Sequence, residues 1–162
     1  MKHTQQGVGL LEVLVSLILL SIAVLGFVAL QMNAIAATHE ASRNVQAMNI
    51  ARDLSERIRA NRDGLADYKK ATTVKECNKV LCDAAEMAAY DFKQVIDKAD
   101  SLGKQVNILD CQGPSALKRK CIYVAWEGTT ATNGTKNTDC TNGVAYMPEA
   151  RCIIVEVYNY DD

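Results

Sequence analysis

Histidine is almost missing from this chain: among 162 residues only His3 and His39 carry an imidazole, and none follows residue 39. A hydrolase that pairs a nucleophile with an imidazole base has no base to use in the C-terminal part. There is no Cys-x-x-Cys or Cys-x-x-His to suggest zinc or a thiol oxidoreductase, and Cys77-x4-Cys82 has only loose metal-ligand spacing. The carboxylate pairs Asp91 with Asp97 and Glu149 with Glu156 are expected to be ordinary surface charges. No enzyme, metal or cofactor is therefore expected. Basic clusters are also lacking beyond Arg52 to Arg62 and Lys118 to Lys120, and 18 basic residues stand against 19 acidic ones. That balance gives no footprint for a nucleic-acid polyanion.

Charge is absent altogether from Val13 to Leu30, where only Ser16 and Ser21 are clearly polar. At ~1.5 Å per residue this run crosses most of a bilayer core of ~30 Å. Glu12 stands at its mouth. A lone carboxylate there is costly in lipid and calls for a partner. Lys2 precedes the run, and Glu40 and Arg43 are the next charged residues after it, which places the N-terminus on the cytoplasmic side. An ordinary signal peptide cut after Ala34-Ile35-Ala36 is the competing reading. Against it stand the length of the run and a carboxylate where positive charge is expected.

Proline is scarce, only Pro114 and Pro148, so nothing breaks a helix between Leu10 and about Arg62. Val45, Met48, Ile50 or Ala51, Leu54 and Ile58 recur at three- and four-residue steps and predict one buried face, with Arg43, Arg52, Glu56, Arg59 and Arg62 largely elsewhere on a solvated one. Asp63-Gly64 is expected to end this helix, and residues 65 to 82 to form a loop with at most a turn of helix over Thr73 to Leu81. Asp83 can cap a second helix from Ala84 to about Leu102, with Met87, Tyr90 or Ala88, Val95 or Phe92, and Leu102 on its apolar side and Gly103 as its stop. Three strands are expected: Gln105 to Leu109, Cys121 to Trp126 and Cys152 to Tyr158. Gly113-Pro114 turns the chain between the first two, and a long loop over residues 128 to 143 precedes the third. This order of elements is α+β: a long N-terminal helix packed on an antiparallel sheet, with one extra helix. Of the aromatic residues Trp126, Tyr123, Tyr158 and Tyr160, Trp126 is expected in the sheet core rather than in a binding patch.

All six cysteines follow the apolar run, as in a domain exported to an oxidising compartment, and their even number favours disulfides. Six cysteines admit many pairings, and sequence alone does not choose among them. A local scheme is expected, Cys111 with Cys121, Cys140 with Cys152 and Cys77 with Cys82, because short loops bring sulfurs together at modest entropic cost.

Two segments carry a resemblance. Gln6-Gly7-Val8-Gly9-Leu10-Leu11-Glu12 resembles the class III leader of type IV prepilins. Together, Leu10-Leu11-Glu12-Val13-Leu14 and Glu56-Arg57-Ile58-Arg59-Ala60-Asn61-Arg62 are similar to the minor pilin family PilV, the type IV pilus modification proteins. The resemblance implies a leader over residues 1–7, a transmembrane half-helix over 8–32 and a periplasmic head over 33–162. It implies a type IV pilin-like fold and a minor pilin that sits in the bacterial inner membrane, helps start pilus assembly and enters the fibre at or near the tip. Implied partners are other minor pilins, the major pilin, the prepilin peptidase, the assembly platform and a large tip adhesin. Implied site residues are Gly7 and Val8 for cleavage, Val8 for N-methylation and Glu12 for assembly. An I-type pseudopilin of a type II secretion system is the alternative, against which the six cysteines and the larger head weigh.

The leader makes a direct prediction: protein recovered from its native host begins at Val8 with a methylated amine. N-terminal sequencing or intact mass checks this. A mature start at Ala37 would overturn the prepilin reading.

Overall fold

The computed structural model describes residues 8–112 and 119–157; Gly7, the Gly113-Pro114 turn, Tyr158 and Tyr160 lie outside them. The chain divides into two units, residues 1–42 and 43–162. Helix α1 (Val8–Ala60) is continuous over 53 residues and passes through both, as the absence of proline permits. Within the first unit it is exposed throughout its described side chains except near its end.

The second unit begins with the amphipathic part of α1. Ala47, Ile50, Ala51, Leu54 and Ile58 are buried, whereas Val45 is exposed. The buried face thus starts two residues later than the periodicity suggested. Asp63-Gly64 does not stop the chain from coiling. α1 ends at Ala60 and a 3-10 helix, Arg62–Asp67, follows with Gly64 buried inside it. The glycine is needed here for closeness. A Cβ on Gly64 would fall on the Ala84 carbonyl oxygen, 2.6 Å from Asn61 Nδ2 and 3.0 Å from Ala88 Cβ. Residues 73–81 form no helix, only a turn over 77–79.

Helix α2 (Ala84–Ser101) starts with a capping box. Asp83 Oδ1 accepts from Glu86 N at 2.8 Å, and Glu86 Oε2 accepts from Asp83 N at 3.2 Å. Its buried side chains are Ala88, Phe92, Val95 and Ala99, while Leu102 is 44% exposed. Of the residues named above as alternatives for this face, Ala88 is buried rather than Tyr90, Val95 and Phe92 are both buried, and Met87 and Tyr90 are half-buried at its flank. Gly103 reverses the chain at φ +64, where an L side chain is strained.

Strands β1 (Lys104–Asp110), β2 (Lys120–Trp126) and β5 (Cys152–Val157) form an antiparallel sheet in the order β1-β2-β5. The loop expected over residues 128 to 143 instead holds two short strands, β3 (Thr130–Asn133) and β4 (Asp139–Thr141), paired parallel with a break in register. Asp139 makes this possible. Its carboxylate accepts the Thr132 hydroxyl at 2.6 Å and the Lys136 N–H at 2.9 Å, so a stretch of Thr, Asn and Gly closes on one side chain.

Alternation sorts the sheet into two buried faces. Ile122, Val124, Trp126 and Val157, with Val106, Ile108, Ile153 and Val155, join the core made by α1 and α2. Cys121, Tyr123 and Ala125 face the other way, onto Ala131 and Cys140. β2 is therefore covered on both sides, as its unbroken apolar run requires. Disulfides Cys111–Cys121 and Cys140–Cys152 lie at this second face, and Cys77–Cys82 closes the turn before α2. A small face gains from them roughly 2 to 3 kcal/mol per loop in the chain-entropy account.

The closeness at Gly64 predicts that Gly64→Ala lowers stability by about 1 to 3 kcal/mol, because the Ala84 backbone has to move. Thermal unfolding of the full chain in detergent measures it; an unchanged melting temperature would show that the approach of the two segments is loose.

Candidate functional site

The exposed part of α1 is one candidate surface. Val8 is its first residue and Glu12 lies one turn on. Leu10, Leu25 and Leu30 are each 70% exposed or more, so among the described residues little covers the apolar side chains of this stretch. The two polar side chains within it are satisfied locally: Ser16 Oγ donates to the Glu12 carbonyl and Ser21 Oγ to the Leu17 carbonyl, both at 2.7 Å. The helix surface is thereby prepared for apolar surroundings on every side, long enough and apolar enough to cross a membrane.

At the other end of α1 the segment from Glu56 to Arg62 works as a clasp. Arg57 Nε donates to Asp53 Oδ1 at 3.0 Å, and its Nη1 donates to Asp91 on α2. Tyr68, buried beyond the 3-10 helix, donates its hydroxyl to the Arg57 carbonyl at 2.9 Å with Asp91 Oδ2 at 3.4 Å. Asn61 Nδ2 donates to the Ala84 carbonyl at 2.8 Å, next to Gly64. One helix turn thus holds both the connector and the start of α2. Glu56 and Arg59 pair on the exposed side instead.

This clasp corrects one expectation. Asp91 is not an ordinary surface charge: its side chain is 14% exposed and faces Arg57. Arg57, which the periodicity assigns to neither face, is half-buried, and Arg43 pairs with Glu127. Periodicity missed Arg57 because a long side chain buries its stem while its head reaches a partner on another element. Asp97, by contrast, pairs with Lys93 at the surface, and Glu156 with Arg119. Burial by itself would raise the Asp53 carboxyl, but the hydrogen bonds and charges of Arg57, then of Lys98, bring it below its ordinary value. Burial, then the Asp91 carboxylate, push the Tyr68 phenol up to about 12.

In the head, Trp126 is a core residue, with Lys104 Nζ 5.1 Å from its ring centroid. Tyr123 is fully buried on the opposite face. Neither belongs to an aromatic patch. Every cysteine is in a disulfide, so no thiolate is free to act as nucleophile or ligand.

Residues 2–28 match the prokaryotic N-terminal methylation motif, and residues 29–93 match the family model described as Type IV pilin Tt1218. No curated protein and no solved structure matches the chain. The two matches adjoin and together support a type IV pilin with a prepilin-type N-terminus, a structural rather than an enzymatic kind of protein. Membrane anchoring by the apolar helix, processing by a peptidase and incorporation into a pilus with other pilins fit both matches. The clasp lies within the second of them.

The position of Tyr68 predicts a dependence on alkaline pH. Its folded-state pKa lies above the ordinary 10.0, so the neutral hydroxyl contributes stability that is intact below pH 10.0 and lost as pH rises through about 12. Tyr68→Phe is expected to cost roughly 1 to 2 kcal/mol at neutral pH, by loss of the hydrogen bond to the Arg57 carbonyl. The gap in melting temperature between wild type and variant then narrows toward the upper end of that range. A gap that stays constant across it would show that the phenol does not ionise with loss of this bond.

Proposed function

We propose that this pilin subunit is a minor pilin of the PilV kind, anchored in the inner membrane with its head in the periplasm, that joins other minor pilins to start pilus assembly and enters the fibre near its tip. The observation that carries the reading is the pairing of a carboxylate at the fifth residue after the expected cut with an apolar helix surface that is exposed among the described residues. Likeness of the clasp segment to PilV supports the minor over the major role. The protein makes and breaks no bond in this reading. Its partners are other minor pilins, the major pilin, the prepilin peptidase acting between Gly7 and Val8, the assembly platform and a large tip adhesin.

The mechanism is electrostatic. An ionised carboxylate in the lipid-facing start of a helix costs about 3 kcal/mol on insertion scales, and this drives Glu12 toward a cation. Processing creates one: the amine of Val8. In the same subunit it stands one helical turn from Glu12; in a neighbour packed alongside, it can offset the carboxylate fully removed from water. Subunits that pair amine to carboxylate would be held in axial register, with the apolar surfaces supplying most of the contact.

Glu12→Ala is therefore expected to leave export, insertion and cleavage after Gly7 intact while lowering incorporation into sheared pili and co-purification with other minor pilins. Immunoblots of sheared fractions and pull-downs at native expression level read both. Wild-type incorporation and co-purification would mean that the carboxylate has no part in assembly. Deleting the gene and comparing twitching with protein secretion separates the pilus from the pseudopilin alternative.

A further inference from the structure

The two edges of the three-stranded sheet are finished differently. The Cys111 N–H donates to the Arg119 carbonyl at 2.9 Å, which sets the hydrogen-bonding phase of the β1–β2 ladder. Gln105, Asn107 and Leu109 then bond to β2, while the backbone groups of Val106 and Ile108 point outward from the sheet. By the same logic Trp126 N, which donates to the Arg151 carbonyl at 3.0 Å, leaves Ile154 facing outward on β5. On β5 that position is covered, because the Ile154 N–H is directed at the Tyr146 phenol. On β1 the Ile108 N–H is also taken, by Asn107 Oδ1 at 3.0 Å, and the Asn107 amide donates to the Ala131 carbonyl at 3.1 Å. Val106 sits just before this closure, with its N–H and C=O aimed outward.

At that point lies a groove of about 470 Å³, between α2, the connector after Tyr68 and the edge of β1. Phe92 and Ile96 form its apolar wall. Its ends carry opposite charge. Lys69 and Lys70 follow Tyr68, which contacts Asp91 beside Phe92; Asp100 lies two turns further along α2, next to the chain reversal into β1. An edge residue with both backbone groups directed away from β2 and bonded to none of the described residues, an apolar wall and a charge at each end are what an added strand requires.

We propose that the β1 edge is a docking site for an extended segment of another protein, added antiparallel to β1 and paired with Val106 through both backbone groups. Residues directly opposite in an antiparallel pair point to the same face. The residue facing Val106 is thus apolar and packs on Phe92 and Ile96. Two positions earlier in the partner, on the same face, an Asp or Glu meets Lys69 and Lys70; two positions later a Lys or Arg meets Asp100. The recognised pattern is acidic-x-apolar-x-basic. This assignment does not depend on the pilus reading: it holds or fails with the strand edge alone.

The probe is a synthetic peptide, Thr-Asp-Thr-Val-Thr-Lys-Thr with blocked ends, titrated into the isotope-labelled full chain in detergent micelles and followed by amide NMR. Saturable binding with the largest shifts at Val106 and its neighbours on β1 is expected. The same peptide methylated on the backbone nitrogen of its valine loses a donor and should bind at least ~10-fold more weakly. Lys69 and Lys70 are exposed, so the double variant Lys69→Glu, Lys70→Glu keeps the fold, and it should weaken the unmodified peptide by about 10-fold. Absence of binding, equal binding of the methylated peptide, or shifts centred away from β1 would each overturn the proposal.

Discussion

Burial of one face of α1 is the constraint on which the second unit depends. Ala47, Ile50, Ala51, Leu54 and Ile58 lie on a helix that continues from a stretch exposed among the described residues. Their cover has to come from later in the chain, and it comes from α2 and one face of the sheet. At about 1.5 to 3 kcal/mol for each fully buried large aliphatic side chain, this contact outweighs any single ion pair or hydrogen bond around it. The small residues Ala47, Ala51, Ala88 and Ala99 fit the same need, since they let backbones approach where larger side chains would hold them apart.

Apolar contact is non-directional, and polar contacts here select one arrangement out of many. Arg57 links Asp53 on its own helix to Asp91 on α2, while its carbonyl takes the Tyr68 hydroxyl. Any register shift of α2 against α1 would leave Asp91 partly buried without its cation, at a cost of several kcal/mol. At the far end of the buried face, Glu127 bridges Arg43 and Arg151 from a turn at φ 51, a conformation an L residue holds only when its surroundings demand it. The buried face of α1 is thus fastened at both ends by ion pairs to elements distant in sequence. Cysteine does the corresponding work on the second face of the sheet, where few apolar side chains are available.

How much of this could be read from the sequence depended on whether the cause was local. The long helix, α2 with its Asp83 cap and Gly103 stop, and the three main strands follow from periodicity and end signals, which act over a few residues. The short disulfide loops are local in the same sense. Glycine has two uses, and Gly64 reads as a stop in the sequence, whereas the structure needs it for contact with Ala84, 20 positions on, which no window over the sequence displays. β3 and β4 were hidden because one Asp139 side chain organises a stretch whose Thr, Asn and Gly otherwise signal loop. Asp91 looked like any helix carboxylate until Arg57 was brought to it. For the candidate site, the composition of α1 and the place of Glu12 were legible outright, and the clasp residues were visible only as a motif without a reason.

The two halves of α1 solve opposite problems with the same backbone. In the first, side chains from Val13 to Leu30 are apolar on every side and the serine hydroxyls turn back onto the helix, so along that run no charged side chain or unpaired hydroxyl opposes transfer into lipid or contact with another apolar helix. A surface of that kind attracts but does not discriminate, because one leucine is much like another. Discrimination has to come from groups that are costly when misplaced, and the Glu12 carboxylate at the mouth of the run and the charged side chains of the second unit are groups of that kind. If the proposed pairing of amine and carboxylate sets the register, generic apolar contact lets such a helix pack beside several different neighbours while the charge holds each at one height.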